Sequence, residues 1–258
     1  MELFFTLFKA SFKREAQYKF DFFVNILGNF LGLFADFLII ALILIRFQNI
    51  AGWQLHQVAL MYAIIEFGFG VYRLIGEGFN RFEELILSGK FDTLLLRPVP
   101  VLVQVMLHKI DLKRLGMVVQ AMVVGLWGIQ RSTFPNSSFY CYLPLLLLAS
   151  VIINLEVSII LAAMAFWTGK NKDIIILGHY STRTAATYPA TIYHKLFSHI
   201  LTLVIPFFTV SYYPLLYYTG KSDNPFYLLT PLFGITTMTL LSSLIWRSGI
   251  KRYSSTGT

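Results

Sequence analysis

The chain has 258 residues, a formal net charge of +8, 56% hydrophobic residues, 13% charged residues and a mean hydropathy of +0.65, whereas water-soluble domains carry about 25% charged residues. No polar stretch is long enough for a separate soluble domain, so residues 1–258 read as one membrane-embedded unit. The basic residues stand singly between apolar runs, which argues against the basic patch of a nucleic-acid-binding fold, and the lone Cys141 allows no intrachain disulfide and is expected as a small core residue.

In residues 1–20, Phe4, Phe5, Phe8, Phe12 and Ala16 share one face at helical spacing, flanked by Lys9, Lys13 and Arg14. That pattern suits a helix lying in the membrane interface with its basic side toward anionic headgroups, or a simple extension of the first span. The first long apolar run, Phe22–Ile45, exceeds the h-region of a signal peptide and is expected to be a retained span. Within it, Gly28 and Gly32 form a Gly-x-x-x-Gly pair that would admit a neighbouring helix closely.

Five further runs approach the roughly 20 residues needed to cross a bilayer: Gln57–Ile75, Leu112–Ile129, Tyr140–Thr168, Leu196–Tyr218 and Phe226–Trp246. The third is crowded at its start by Asp111, Lys113 and Arg114, and Val99 to Leu107 would extend it as a broken helix. Pro206 and Pro214, beside Phe207, Phe208, Tyr212 and Tyr213, imply a bend in the fifth span toward the outer leaflet. Pro206, Phe207, Tyr213 and Pro214 are thus candidates for an outer gate, or for a kinked structural helix. With the N-terminus inside, every Lys and Arg except Arg46, Arg131 and Lys221 falls on the inner side, eighteen against three of the 21. Basic residues are retained in the cytoplasm, so both termini are expected there. The long inner connections, 76–111 and 169–195, then carry most of the soluble surface.

Asp36, Glu66 and Glu156 lie within predicted spans. An unpaired charge at that depth costs at least about 2.5–3.5 kcal/mol, so each should face protein or water and not lipid. They are candidates for a translocation path or proton relay, but a protonated or hydrogen-bonded packing residue is the favoured reading of each, partly because no basic residue is expected deep enough to pair with them. A phosphate-binding loop is rejected: Gly220-Lys221-Ser222 has the right ending, but Leu215 stands where the motif requires glycine. The five histidines show no zinc spacing, no second cysteine exists, and no nucleophile elbow is present. Neither a metal site nor a catalytic site is expected.

The loop Leu87-Ser88-Gly89-Lys90-Phe91-Asp92-Thr93-Leu94-Leu95-Leu96-Arg97-Pro98-Val99-Pro100, with Tyr188-Pro189, Ile205-Pro206-Phe207, Tyr213-Pro214 and the ending Trp246 to Gly257, resembles the permease subunit of bacterial type-two ABC exporters. The resemblance implies an all-α membrane fold of six transmembrane helices with an interfacial N-terminal amphipathic helix. It also implies a coupling helix in the first inner loop and short re-entrant helices before the last span. The partners implied are a cytoplasmic ABC ATPase dimer, which binds ATP and Mg, and a second permease copy or related permease chain, all at the cell membrane in contact with lipid. Gly178 to Thr187 departs from the pattern by being more polar than a helix entering the membrane requires. On this reading Glu83, Glu84, Phe91, Asp92 and Arg97 couple to the ATPase, with Phe91 as an apolar anchor and Asp92 and Arg97 as charge-assisted partners. Alternatively, Asp92 caps the following helix and Arg97 anchors at headgroups. The function implied is an exporter permease without enzymatic activity of its own, and the rivals are an ion-gradient-driven secondary transporter and a membrane-embedded lipid-modifying enzyme.

Overall fold

The computed structural model describes residues 19–47, 49–132, 134 and 138–254. The predicted interfacial helix and the end of the Trp246–Gly257 motif lie outside the described residues. Among the described residues five helices are long and apolar enough to cross a membrane: Lys19–Phe47, Leu55–Ile75, Leu115–Arg131 with the turn Leu112–Arg114 before it, Ser138–Ala163 and Thr230–Arg252.

The second of these is the hub. Its residues are apolar on nearly every side, which requires a buried position, and Val58 through Ile65 are all buried among its neighbours. The third and fourth spans pack along it. A Cβ on Gly68 would lie 2.1 Å from Ser150 Oγ and 2.6 Å from the Ser150 carbonyl carbon, so glycine permits this crossing. The first span instead buries a single stripe, Leu33, Phe37, Ile40, Ala41 and Leu44, at the three- and four-residue spacing of one helix face. Phe23, Leu27, Leu31, Leu38, Ile39 and Leu42 on its other faces are exposed. Cys141 is exposed too, on the fourth span, because it falls beyond the stripe that packs on the second; it is not the core residue expected.

The connection between the second and third spans is a bracket of short helices, Glu77–Asn80, Phe82–Leu87, Lys90–Leu95 and Val101–Met106. Val101–Met106 folds back against Glu77–Asn80 so closely that a Cβ on Gly78 would lie 1.8 Å from the Val105 carbonyl oxygen. Val99 to Leu107 therefore does not extend the third span.

The expected Leu196–Tyr218 matches the bent apolar pair Lys195–Val204 and Phe207–Tyr218, and the fifth crossing begins well before it. Asn171 is tied to the bracket by a hydrogen bond from its backbone N–H to Glu83 Oε2, 2.8 Å. Lys221 is tied at the opposite end of the molecule by its ammonium donating to the Gly52 carbonyl, 2.6 Å. Residues 172–220 thus make the passage. They do so as a helical path through Lys172–Ile175, a wide turn over Ile176–Tyr180 and Ser181–Ala186, then a turn at Ala190–Ile192. Lys195–Val204 and Phe207–Tyr218 follow, bent by 79° at a break that contains Pro206. The polar run Gly178 to Thr187 is therefore part of the crossing and not a loop outside it.

Candidate functional site

The lower half of that crossing is polar because its partners are polar. His179 is fully buried and its Nε2 lies 2.9 Å from Asn154 Oδ1, while its ring stacks on Tyr72 at 4.9 Å. At the next residue, the Tyr180 hydroxyl accepts a hydrogen bond from Arg73. Arg73 also pairs with Glu77 at 3.3 Å, and Asn80 donates to the same carboxylate at 3.0 Å. Next comes Arg183, 8% exposed, whose guanidinium lies 3.3 Å from Glu66 Oε2 and 4.2 Å from the centre of the Phe69 ring. Glu66 is 1% exposed and sits midway along the second span. The basic partner expected to be missing from the spans is thus present. It was counted among the surface charges because it belongs to a polar stretch that reads as a loop.

Asp36 joins this pair. It is exposed on the first span at matching depth, and with Tyr62, Glu66, Arg183 and Tyr188 it lines a cleft of about 190 Å³. The Tyr62 hydroxyl donates to the Leu33 carbonyl at 2.7 Å, which fixes the ring at the cleft wall. Glu156 is elsewhere. It lies between the fourth and last spans, where Thr239 (3.2 Å) and Ser242 donate to its two carboxylate oxygens. Two of the three candidate acids share a site, and the third is a packing carboxylate with its hydrogen bonds made.

The candidate gate residues build the bend itself. Pro206, Phe207 and Pro214 are buried, Phe207 lies parallel to His179 with centroids 6.2 Å apart, and the half-buried Tyr213 packs on Tyr227 and meets Thr202 at 3.4 Å. Gly28 and Gly32 line an open groove with Leu33 and Met117, and among the described residues a Cβ on either meets nothing within 4 Å. The close helix contact is made from the other side, by Gly116, whose Cβ would lie 2.0 Å from the Ile26 carbonyl oxygen. Nothing in the sequence distinguishes Gly116 as the packing glycine, since its partner is a backbone oxygen.

The bracket forms a second site. Phe91 is fully buried, at the centre of an aromatic cluster with Phe82 (5.3 Å), Phe166 (5.5 Å) and Tyr253 (4.9 Å), and Trp246 joins through Phe82 and Phe166. Its ring is not available as a surface anchor. Glu83 is likewise turned inward, accepting from the backbone N–H groups of Asn171 and Lys172 at 2.8 and 3.2 Å, where it caps the start of the fifth crossing. Asp92 stands in the first turn of Lys90–Leu95 beside the Tyr253 hydroxyl, which burial and this carboxylate push up to about 12. Burial, and then Lys90 and Arg81, lower His108 below the usual histidine range. Glu84 points outward and faces Arg81 at 3.6 Å. Arg97 is exposed as well, and its neighbours supply the apolar surface that Phe91 does not: Leu96 is 86% exposed and Leu87 55%. The turn that presents Leu96 and Arg97 is held by the Gln104 amide, which donates to the carbonyls of Leu94 (3.0 Å) and Val99 (2.7 Å).

At the opposite end, Gly220-Lys221 caps the helix Tyr212–Tyr218 and rests on a turn: the Lys221 ammonium lies 5.0 Å from the Trp53 ring in addition to its bond with Gly52. Among the described residues no cluster of three or more His, Cys, Asp or Glu is placed to hold a metal ion. No curated protein and no solved structure matches this chain. The sequence profile of one family does, over residues 30–257, and that family is described as ABC-2 family transporter protein.

Proposed function

The chain belongs to the ABC-2 transporter family, as a multi-pass membrane permease, and from that premise we propose that it forms the translocation path of an ATP-driven exporter at the cell membrane. In this reading a cytoplasmic ABC ATPase pair binds ATP and Mg and docks on the bracket at residues 76–111. A second permease copy, or a related chain, completes the path. Both termini lie in the cytoplasm, on the side that holds the basic residues.

The observation that carries the docking is an exposed apolar and cationic knob, Leu96 and Arg97, on a turn tied by Gln104 and adjoining the buried cluster of Leu94 and Phe91. An apolar anchor beside an Arg is what a small, energetically concentrated interface requires. The mechanics follow from the contacts beneath it. Displacing the knob displaces Phe91, which is packed against Phe166 at the foot of the fourth span and Tyr253 at the foot of the last. The same bracket holds Asn171 and Lys172 through Glu83, so it also moves the helix that carries Arg183 to the charged cleft. Closure of the ATPases is thereby passed to three crossings at once.

The test is co-purification of an ATPase with the full chain in mild detergent, for the native sequence and for Leu96→Asp. Retention of the ATPase by the native chain and its loss from a still monodisperse Leu96→Asp is expected. Equal retention by both removes the knob from the interface. A proton-driven transporter is the second reading, favoured by Asp36, Glu66 and Arg183 sharing one cleft. Uptake into vesicles holding the isolated chain, driven by a pH gradient without ATP, would establish it instead.

A further inference from the structure

The cleft between the first, second and fifth crossings has a charge that its own residues do not balance. By formal charge, Asp36 and Glu66 count as two negatives and Arg183 as one positive, leaving one negative. The positive charge is already spent, because Arg183 faces Glu66 at 3.3 Å and is covered by the Phe69 ring at 4.2 Å. Among the described residues no cation pairs with Asp36, whose carboxylate opens onto the cleft. Glu66, buried in the wall, keeps an Oε2 with the Arg183 ion pair but no hydrogen bond. From this geometry we propose that the cleft is a binding site for a small organic monocation, an amine or quaternary ammonium on an apolar or aromatic body.

Each part of that ligand has a counterpart. The cationic head is attracted by Asp36 at a depth where water is scarce and the charge interaction is strong. Tyr62 and Tyr188, aromatic residues of the kind that take ammonium groups, line the cleft. Ile39 and Ile40 supply apolar wall for the body. An anion would meet Asp36 with no unpaired cation to offset it. A metal ion is a poor alternative, since no three ligating side chains converge there among the described residues. The proposal rests on the permease reading only in taking the ligand to be the transported substrate; the site itself stands on the cleft.

The experiment titrates the purified full chain in detergent, by calorimetry, with phenyltrimethylammonium and with benzenesulfonate, two aromatic ions of similar size and opposite sign. The cation is expected to bind and the anion not to. Asp36→Asn, an exposed and nearly isosteric change, should weaken the cation by about tenfold or more, while Asp223→Asn, in the connection at the far end, should leave the affinity unchanged. Absence of cation binding to the native chain, equal binding of both ions, or an unaltered affinity in Asp36→Asn overturns the site. Co-purification of the ATPase is scored in the same preparations. A chain that holds its ATPase without binding the cation loses the site and keeps the permease reading, and a chain that binds the cation but captures no ATPase does the reverse.

Discussion

Arg183 and Glu66 face each other with almost no water, so each stabilises the fold chiefly by preventing the other from being left as a buried, uncompensated charge. Removing one partner of such a pair typically costs about 3–5 kcal/mol, whereas replacing both by uncharged groups of similar size is close to neutral. Glu66→Gln and Arg183→Met should therefore each lower the thermal unfolding temperature sharply, and the two combined should recover most of the loss. An additive double variant would show that the two charges do not interact. Phe91 makes a similar contrast with Leu96. Emptying the centre of the aromatic cluster in Phe91→Ala is expected to cost about 3–5 kcal/mol, while Leu96→Ala, at 86% exposure, should stay within about 0.5 kcal/mol in the isolated chain. Unfolding of the two variants in the same detergent checks this, and equal stability would contradict the buried position of Phe91. At this scale the sequence was informative about which residues are costly in a membrane, Asp36 and Glu66, but not about what meets them. The Arg183–Glu66 contact joins elements far apart in the chain, and no local spacing encodes it.

Among the elements, helices announced by long apolar runs were legible to within a few residues: Phe22–Ile45 became Lys19–Phe47 and Gln57–Ile75 became Leu55–Ile75. Elements whose polar residues are matched inside the protein were not. Gly178 to Thr187 reads as a loop because hydropathy scores a residue against lipid, while here His179, Tyr180 and Arg183 are solvated by Asn154, Arg73 and Glu66. The glycines divide in the same way. Gly28-x-x-x-Gly32 carries the familiar pattern yet a Cβ there meets nothing within 4 Å among the described residues, and Gly116, without a pattern, lies against the first span's backbone. Gly116→Ala should thus loosen the packing of the first and third spans, seen as a lowered unfolding temperature of the purified chain. Gly28→Ala with Gly32→Ala should leave that temperature unaltered. The opposite order of effects would mean that the first span packs through its other face.

For the molecule as a whole, the proposed coupling makes one mechanical train of the bracket, the fifth crossing and the cleft. The bracket exposes Leu96 and Arg97 at one end, packs Phe91 onto the feet of the fourth and last spans, and through Glu83 is hydrogen-bonded to the start of the helical path that reaches the charged cleft. Such a train transmits force from a partner only if the knob lies on the cytoplasmic side, where ATP is hydrolysed. Impermeant thiol labelling of intact cells addresses that placement most directly, in a Cys141→Ser background, with Leu96→Cys at the knob and Asp223→Cys at the far end. Protection of position 96 until the membrane is permeabilised, with immediate labelling at 223, is the predicted result. Labelling at 96 and protection at 223 in intact cells would turn the molecule over and contradict the account.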